Sequence, residues 1–287
     1  MTRTPAFGLA LATFGALTLT PDALFMRWSG MAGLQMLGWR GLCLGTLFLL
    51  LWLMTSRARA FDLRAALTGP GLIVIAAQYF NALLFPVGIA TAPVAVMLLG
   101  VATAPVWAAL LSGLIFGERT PRATWVAILF VLAGIALAVS GKGDLAVSPG
   151  ALAGAVCGLG VALSLATNFT MLRQAPEVPL LLAIGIGALL AGSTGWLATG
   201  PAQMTQGTLW AILVTGLVIL PVSFFSLSFA ARHTAAANVS LLLLLETALG
   251  PVWVWLGTGE APTPRMIAGG AVVIVTLALY LSRQLRR

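Results

Sequence analysis

The sequence predicts an all-α integral membrane protein of ten transmembrane helices, arranged as two inverted five-helix repeats over residues 1–142 and 143–287. Three observations lead there. Hydrophobic residues make up 60% of the 287 and charged residues 8%, with a mean hydropathy of +1.05. A water-soluble domain carries about 25% charged residues, so a soluble globule is excluded. A shift of 142 positions lays the second half on the first without a gap: Gly117-Glu118 falls on Gly259-Glu260, Gly8 on Gly150 and Ala95 on Ala237. The basic residues sit at the ends of apolar runs and favour one side of the membrane. An odd number of spans per copy turns the second copy upside down.

The apolar runs predict helices over 6–28, 33–54, 69–90, 93–116, 121–141, 149–172, 178–198, 207–231, 234–257 and 263–283. Each is close to the roughly 20 residues that cross a hydrocarbon core. The first run is too long for a signal peptide and lacks a small-x-small exit, so it reads as an uncleaved span. Glycine, proline and charge mark breaks at 56–64, 118–121, 142–149, 173–179, 199–207 and 259–264, with tight turns at 91–93 and 232–234. Thr120-Pro121 and Thr263-Pro264 have the form of helix starts, Thr as N-cap and Pro at the first position. Glu118 and Glu260 precede them at equivalent places, as end caps or as partners of Arg119 and Arg265. Pro86, Pro105, Pro221 and Pro251 fall inside apolar helices, where each removes a backbone bond and favours a kink.

Arginine sets the orientation. With the N-terminus inside, Arg3, Arg57, Arg59, Arg64, Arg119, Arg122, Arg173, Arg232, Arg283, Arg286 and Arg287 are cytoplasmic, against Arg27, Lys142 and Arg265 outside. Both termini are therefore expected in the cytoplasm. The net charge of +8 follows from this distribution and makes no single patch for nucleic acid.

Polar groups inside a span are costly and face the protein interior or a watery cavity. Asp22, Arg40 and Glu246 are the charged ones, and their mates under the shift, Ser164, Leu182 and Ala104, are uncharged. The scaffold thus does not require these charges twice. Glu246, mid-span in the ninth helix, is the candidate for coupling, as a proton-titrating or amine-binding carboxylate; a packing role is the alternative. Asp22 and Arg40 lie nearer the outer third of neighbouring helices, as a mutual pair or, second, as substrate contacts. Gln78 and Asn81 share a face of the third helix with Tyr79 between them. With Asn168 of the sixth helix, Ser223 of the eighth and the deep Trp107, they form the candidate substrate site, apolar walls with few polar groups. Single serines in spans can instead bond their own backbone or join helices. Gly100 and Pro105, with Gly250 and Pro251, are the candidate hinges of the fourth and ninth helices.

No HExxH, GxSxG, P-loop or Cys/His cluster is present in the sequence, so neither enzymology nor ATP-driven transport has residues to rest on. Cys43 and Cys157 fall in apolar runs as small filler, and no cofactor or metal is implied.

Two blocks carry a family resemblance: Ala104-Pro105-Val106-Trp107 running to Phe116-Gly117-Glu118-Arg119-Thr120, and Leu244-Leu245-Glu246-Thr247 running to Gly257-Thr258-Gly259-Glu260. With Arg40 and the five-plus-five layout, the chain resembles the drug/metabolite transporter superfamily, EamA type, and within it the YddG-type amino-acid exporters of the bacterial inner membrane. The resemblance implies secondary transport by alternating access, with aromatic and other neutral amino acids as small-molecule substrate. It departs at Thr247, where the family carries proline after the glutamate, and Pro251 comes later. The other expectations to weigh are an exporter of cationic drugs or nucleoside-like metabolites and a non-transporting membrane scaffold. A monomer in the lipid bilayer is expected to suffice.

Overall fold

The computed structural model describes residues 5–91, 94–139, 149–259, 261 and 263–285; Lys142 and Glu260 lie outside them. All the regular elements described are helices: α1 (Pro5–Leu19), α2 (Asp22–Ser29), α3 (Gly33–Thr55), α4 (Arg59–Ala66), α5 (Gly69–Thr91), α6 (Val94–Val101), α7 (Ala104–Phe116), α8 (Arg122–Val139), α9 (Pro149–Gln174), α10 (Leu180–Thr199), α11 (Pro201–Met204), α12 (Leu209–Val214), a π turn (Thr215–Ile219), α13 (Leu220–Ala231), α14 (Ala236–Leu243), α15 (Leu245–Thr258) and α16 (Pro264–Leu285). Among the described residues, nine stretches are long and apolar enough to cross a membrane, and a tenth apolar helix, Arg122–Ala138, is shorter.

Several spans that read as continuous are broken. The first parts at Thr20-Pro21, between α1 and α2. The residue before a proline is pushed out of the helical region, and Pro21 itself cannot donate. The fourth parts at Ala102-Thr103, where Pro105 removes the donor that the Val101 carbonyl would meet, and α7 restarts with Pro105 in its first turn. The ninth parts at Leu244. The kink expected at Pro251 is not where the ninth span breaks: α15 runs unbroken through Pro251. Pro221 has a different effect, since the chain widens into the π turn just before it.

The 142-residue shift relates these features. It carries α6 onto α14, the break at Ala102 onto Leu244, and the left-handed cap Gly117 (φ 66°) onto Gly259 (φ 76°). It does not carry the break at Thr20-Pro21 or the π turn, whose counterparts in α9 and α5 are regular helix.

Helix pairing follows the small residues. A Cβ on Gly41 would lie 2.5 Å from the Gly192 nitrogen, one on Gly195 would lie 2.5 Å from the Gly38 nitrogen, and one on Gly45 would touch Leu189. The three contacts run in opposite sequence directions, so α3 and α10 are antiparallel with their backbones touching. With no solvent to drive association inside a bilayer, such close approach is what holds helices together. The same antiparallel seating pairs α8 with α16 (Gly134 on Gly269, Thr124 on Tyr280), α1 with α13 (Gly8 on His233, Gly15 on Ser226) and α5 with α9 (Leu84 on Gly160, Gly88 on Cys157).

Two short helices fall where loops were expected. In α4, Asp62 accepts from Trp52 Nε1 (2.8 Å) and Ser56 Oγ (2.5 Å), while Phe61, Leu63 and Leu67 stay exposed. α11 follows α10 directly, and its end is tied to α3 by Gln35 Nε2 donating to the Gln203 and Gln206 carbonyls and Trp39 Nε1 donating to Met204.

Adding one methyl at the α3–α10 contact tests how closely it is packed. Overfilling of this kind costs about 1–3 kcal/mol. Gly41→Ala and Gly192→Ala are each expected to lower the melting temperature in detergent, whereas Gly69→Ala, whose new Cβ meets nothing within 4 Å, leaves it unchanged. Equal melting temperatures for all three would contradict the tight seam.

Candidate functional site

A cavity of about 110 Å³ lies among the helices of both halves, lined from α1, α2, α3, α5 and α6 and from α9, α10, α13, α14 and α15. Its walls are mostly Leu, Val, Met and Phe, including Phe85 and Phe224, and its polar members are Asp22, Arg40, Gln78, Asn81, Glu246 and Thr247. The size admits several waters or a compact polar group with part of an apolar tail.

The three charged span residues, which the sequence left as an outer pair and a separate mid-span carboxylate, line this one space. Asp22 is at the start of α2, turned inward by the break at Thr20-Pro21. Trp253 of α15 donates to the Thr20 hydroxyl at 2.9 Å and so ties that break to the ninth span. Arg40 Nη2 donates to Asp22 Oδ2 at 2.7 Å, and Asp22 is 2% exposed. Arg40 sits where α3 passes the π turn, whose Gly216 would place a Cβ 3.5 Å from the Arg40 Cα. The wide turn and missing side chain give α3 room at that point. The pair is incomplete, because Asp22 Oδ1 and Arg40 Nη1 are buried without a partner among the described residues.

The candidate substrate residues separate into two groups. Gln78 and Asn81 line the cavity, and Asn168 stands behind Gln78, its Nδ2 donating to Gln78 Oε1 at 3.3 Å. That bond occupies the Gln78 carbonyl and leaves its amide nitrogen as the donor available to a ligand. Tyr79, Ser223 and Trp107 are not among the lining residues. Tyr79 points to α10, its hydroxyl 3.3 Å from Thr194 Oγ1, because neighbours one residue apart on a helix diverge by about 100°. Ser223 is fully buried beside α1, with its carbonyl against Gly15. Trp107 Nε1 donates to the Thr103 hydroxyl at 3.2 Å, and Thr103 in turn donates to the Gly100 carbonyl at 2.6 Å, so the indole braces the break in the fourth span. Gly100 itself seats α6 against α9, where an added Cβ would meet Gly158 at 2.8 Å.

Some cavity features had no signal of their own in the sequence. Met26 and Met36 are unremarkable apolar residues there. Pro86 and Pro251 remove the regular helical donors of the Ala82 and Thr247 carbonyls, and both Ala82 and Thr247 line the cavity.

Toward the other end of the molecule, Glu118 pairs with Arg173 through two short bonds from Nη2 (2.6 Å) and Nε (3.0 Å), rather than with Arg119. Tyr280 donates to Asn238 Oδ1 at 2.6 Å and lies 2.9 Å from Thr124 Oγ1. Arg232 donates to the Val178 carbonyl. Burial pulls its guanidinium below the ordinary value, with Glu177 opposing. His233 has its Nδ1 2.9 Å from the Phe229 carbonyl oxygen, and its ring meets those of Phe7 and Phe229. Among the described residues no group of His, Cys, Asp and Glu could hold a metal.

Comparison with known proteins gives distant relatives. The chain is 25% identical over 241 residues to the uncharacterised transporter YdfC of Bacillus subtilis, covering 81% of this chain and 77% of that protein. It is 30% identical over 197 residues to a probable terminal-alkyne amino-acid exporter of Streptantibioticus cattleyicolor, covering 63% of this chain and 62% of that one. A crystal structure superposes with a TM-score of 0.79 over 98% of both chains at 15% identity, which shows a shared fold. No family model matches the chain. These relatives and the apolar helices support a multi-pass membrane protein and a transporter.

Neutralising one member of the Asp22–Arg40 pair strands a buried charge, which costs about 3–5 kcal/mol, whereas neutralising both leaves none. Asp22→Asn and Arg40→Gln are each expected to destabilise the protein strongly in a thermal melt, and the double variant less than either. Glu118→Gln, in a pair about a quarter exposed, is expected to cost under about 1 kcal/mol. Additive losses at Asp22 and Arg40 would show that the two do not act as a pair.

Proposed function

We propose that the chain is a secondary transporter of the drug/metabolite transporter type, EamA-like, exporting neutral and aromatic amino acids across the bacterial cytoplasmic membrane by alternating access. The observation that carries this reading is the cavity itself, which draws polar and charged side chains from both halves of the sequence into one apolar surround. Two inverted five-helix halves are supported by the coincident breaks at Ala102 and Leu244 and by the antiparallel seating of helices that the 142-residue shift relates. A relative named as a probable terminal-alkyne amino-acid exporter supports the substrate class. The arginine distribution supports cytoplasmic termini, and the chain is read as working as a monomer.

In this reading the site is Gln78 and Asn81, with Asn168 positioning Gln78. The paired discontinuities at 102–103 and 244 are the bending points of alternating access, each a place where the backbone ladder is already interrupted. Glu246 is the coupling carboxylate.

Flux of labelled phenylalanine and threonine, with a quaternary amine as control, in liposomes holding the purified protein tests the substrate class. Saturable amino-acid flux is expected, and Gln78→Ala or Asn81→Ala is expected to weaken apparent affinity about threefold to tenfold, the value of one neutral hydrogen bond. Saturable flux of the amine alone would favour a cation exporter, and no flux of any would sink the transport reading. Glu246→Gln is expected to abolish flux driven by a pH gradient and to spare substrate exchange. Survival of both would make Glu246 structural.

A further inference from the structure

We propose that the Asp22–Arg40 pair is the element that reads both charges of an α-amino acid, the carboxylate on Arg40 and the ammonium on Asp22. This inference rests on the transport reading above and goes further by assigning a recognition role to charges that could otherwise be a structural lock.

The geometry of the pair is the first argument. Arginine and a carboxylate that serve only each other tend to meet fork to fork, through two parallel bonds. Here they meet through one, Nη2 to Oδ2 at 2.7 Å, and the remaining Nη1 and Oδ1 are both buried without a partner. A buried charged group with an unmet bond is costly to keep. Asp22 and Arg40 both line the cavity, and the unmet donor of the cation and unmet acceptor of the anion, closed off as the helices stand, match a ligand that itself carries one anion and one cation.

Other lining residues add polar groups of both kinds. Gln78 offers its amide nitrogen as a further donor, with its carbonyl bonded by Asn168, and Glu246 puts a second carboxylate on the same cavity. Ala82 and Thr247, which also line it, have carbonyls that lost their regular helical donors to Pro86 and Pro251. Met26, Met36, Phe85 and Phe224 leave an apolar wall for a side chain. The repeat itself does not require the charges, since the shift maps Asp22 and Arg40 onto Ser164 and Leu182.

A pair of this kind selects against molecules that present only one of the two charges, because the other member is then left desolvated and unmatched. The test is competition against labelled-phenylalanine counterflow in liposomes holding the full chain. The competitors are phenylalanine, its methyl ester, phenethylamine and 3-phenylpropionate. For the wild-type protein the last three are expected to compete at least about tenfold more weakly than phenylalanine. In Asp22→Asn/Arg40→Gln, which removes both charges together and is checked for folding by its melting temperature, phenylalanine affinity is expected to fall. All four competitors are then expected to come within about threefold of one another. Arg40→Lys, which keeps the charge balance but loses the planar fork, serves if the double variant does not fold, and is expected to weaken phenylalanine and 3-phenylpropionate but not phenethylamine.

Equal competition by the ester or the amine in the wild-type protein would overturn the proposal. So would undiminished selectivity in a folded double variant, or in Arg40→Lys. Amino-acid counterflow persisting with these results would leave the transport reading standing alone, whereas no phenylalanine counterflow in the wild-type protein would overturn both.

Discussion

The contact on which the arrangement depends is the meeting of α3 and α10 backbones at Gly38, Gly41 and Gly45 against Gly195, Gly192 and Leu189. Inside a bilayer the hydrophobic effect does not distinguish a helix neighbour from a lipid tail, so van der Waals contact between close backbones has to join the two halves. Glycine at these places lets the axes approach until side-chain atoms are excluded. Gly41 serves twice, since it also forms part of the cavity wall, and Arg40 beside it is thereby fixed in depth and direction. The α3–α10 seam thus positions Arg40 on the cavity wall.

A second constraint follows from placing charge in that setting. Charged groups at mid-span need partners or water. The protein meets this by interrupting helices where the polar groups gather: the break at Thr20-Pro21 turns Asp22 toward Arg40, the π turn lets α3 pass, and the break at Leu244 precedes Glu246. Each interruption costs helical hydrogen bonds; Thr20, Ala102 and Leu244 at the three breaks are buried among other helices, as the bilayer requires, while the π turn buries Thr215, Gly216 and Ile219 and leaves Leu217 and Val218 exposed. The interruptions at 102–103 and 244 are shared by the two halves, while those at 20–21 and 215–219 are not. The asymmetry of the charges and the asymmetry of the first and eighth spans therefore coincide in one place.

Much of this was legible in the chain. Apolar run length and the glycine and proline breaks located the spans, and the expense of intramembrane charge singled out Asp22, Arg40 and Glu246. Gln78 and Asn81 share a wall because three residues separate them on a helix, and Tyr79 leaves it for the same geometric reason. What stayed hidden depended on distance across the fold. Nothing local in the Leu241 to Leu245 run marks a break at Leu244, since leucine is a strong helix former; only its register with Ala102, beside Pro105, points to it. Pro251 reads as a kink and is accommodated in continuous helix. Glu118 has Arg119 next to it in sequence, yet its partner is Arg173, brought close by the packing of α7 on α9. Ser223 matches Asn81 by the shift but is not on the cavity wall, and its carbonyl lies against Gly15 of α1.

The central claim is that one cavity between the halves is reached in turn from each side of the membrane. Accessibility of a single cysteine tests it directly. Ala82 lines the cavity, and Ala82→Cys in a chain whose Cys43 and Cys157 are replaced by alanine places one small thiol there. In oriented vesicles, a membrane-impermeant maleimide added on either side is expected to label that thiol, and a saturating substrate amino acid to slow labelling from both sides. Labelling from one side alone, whatever the substrate or gradient, would contradict the account.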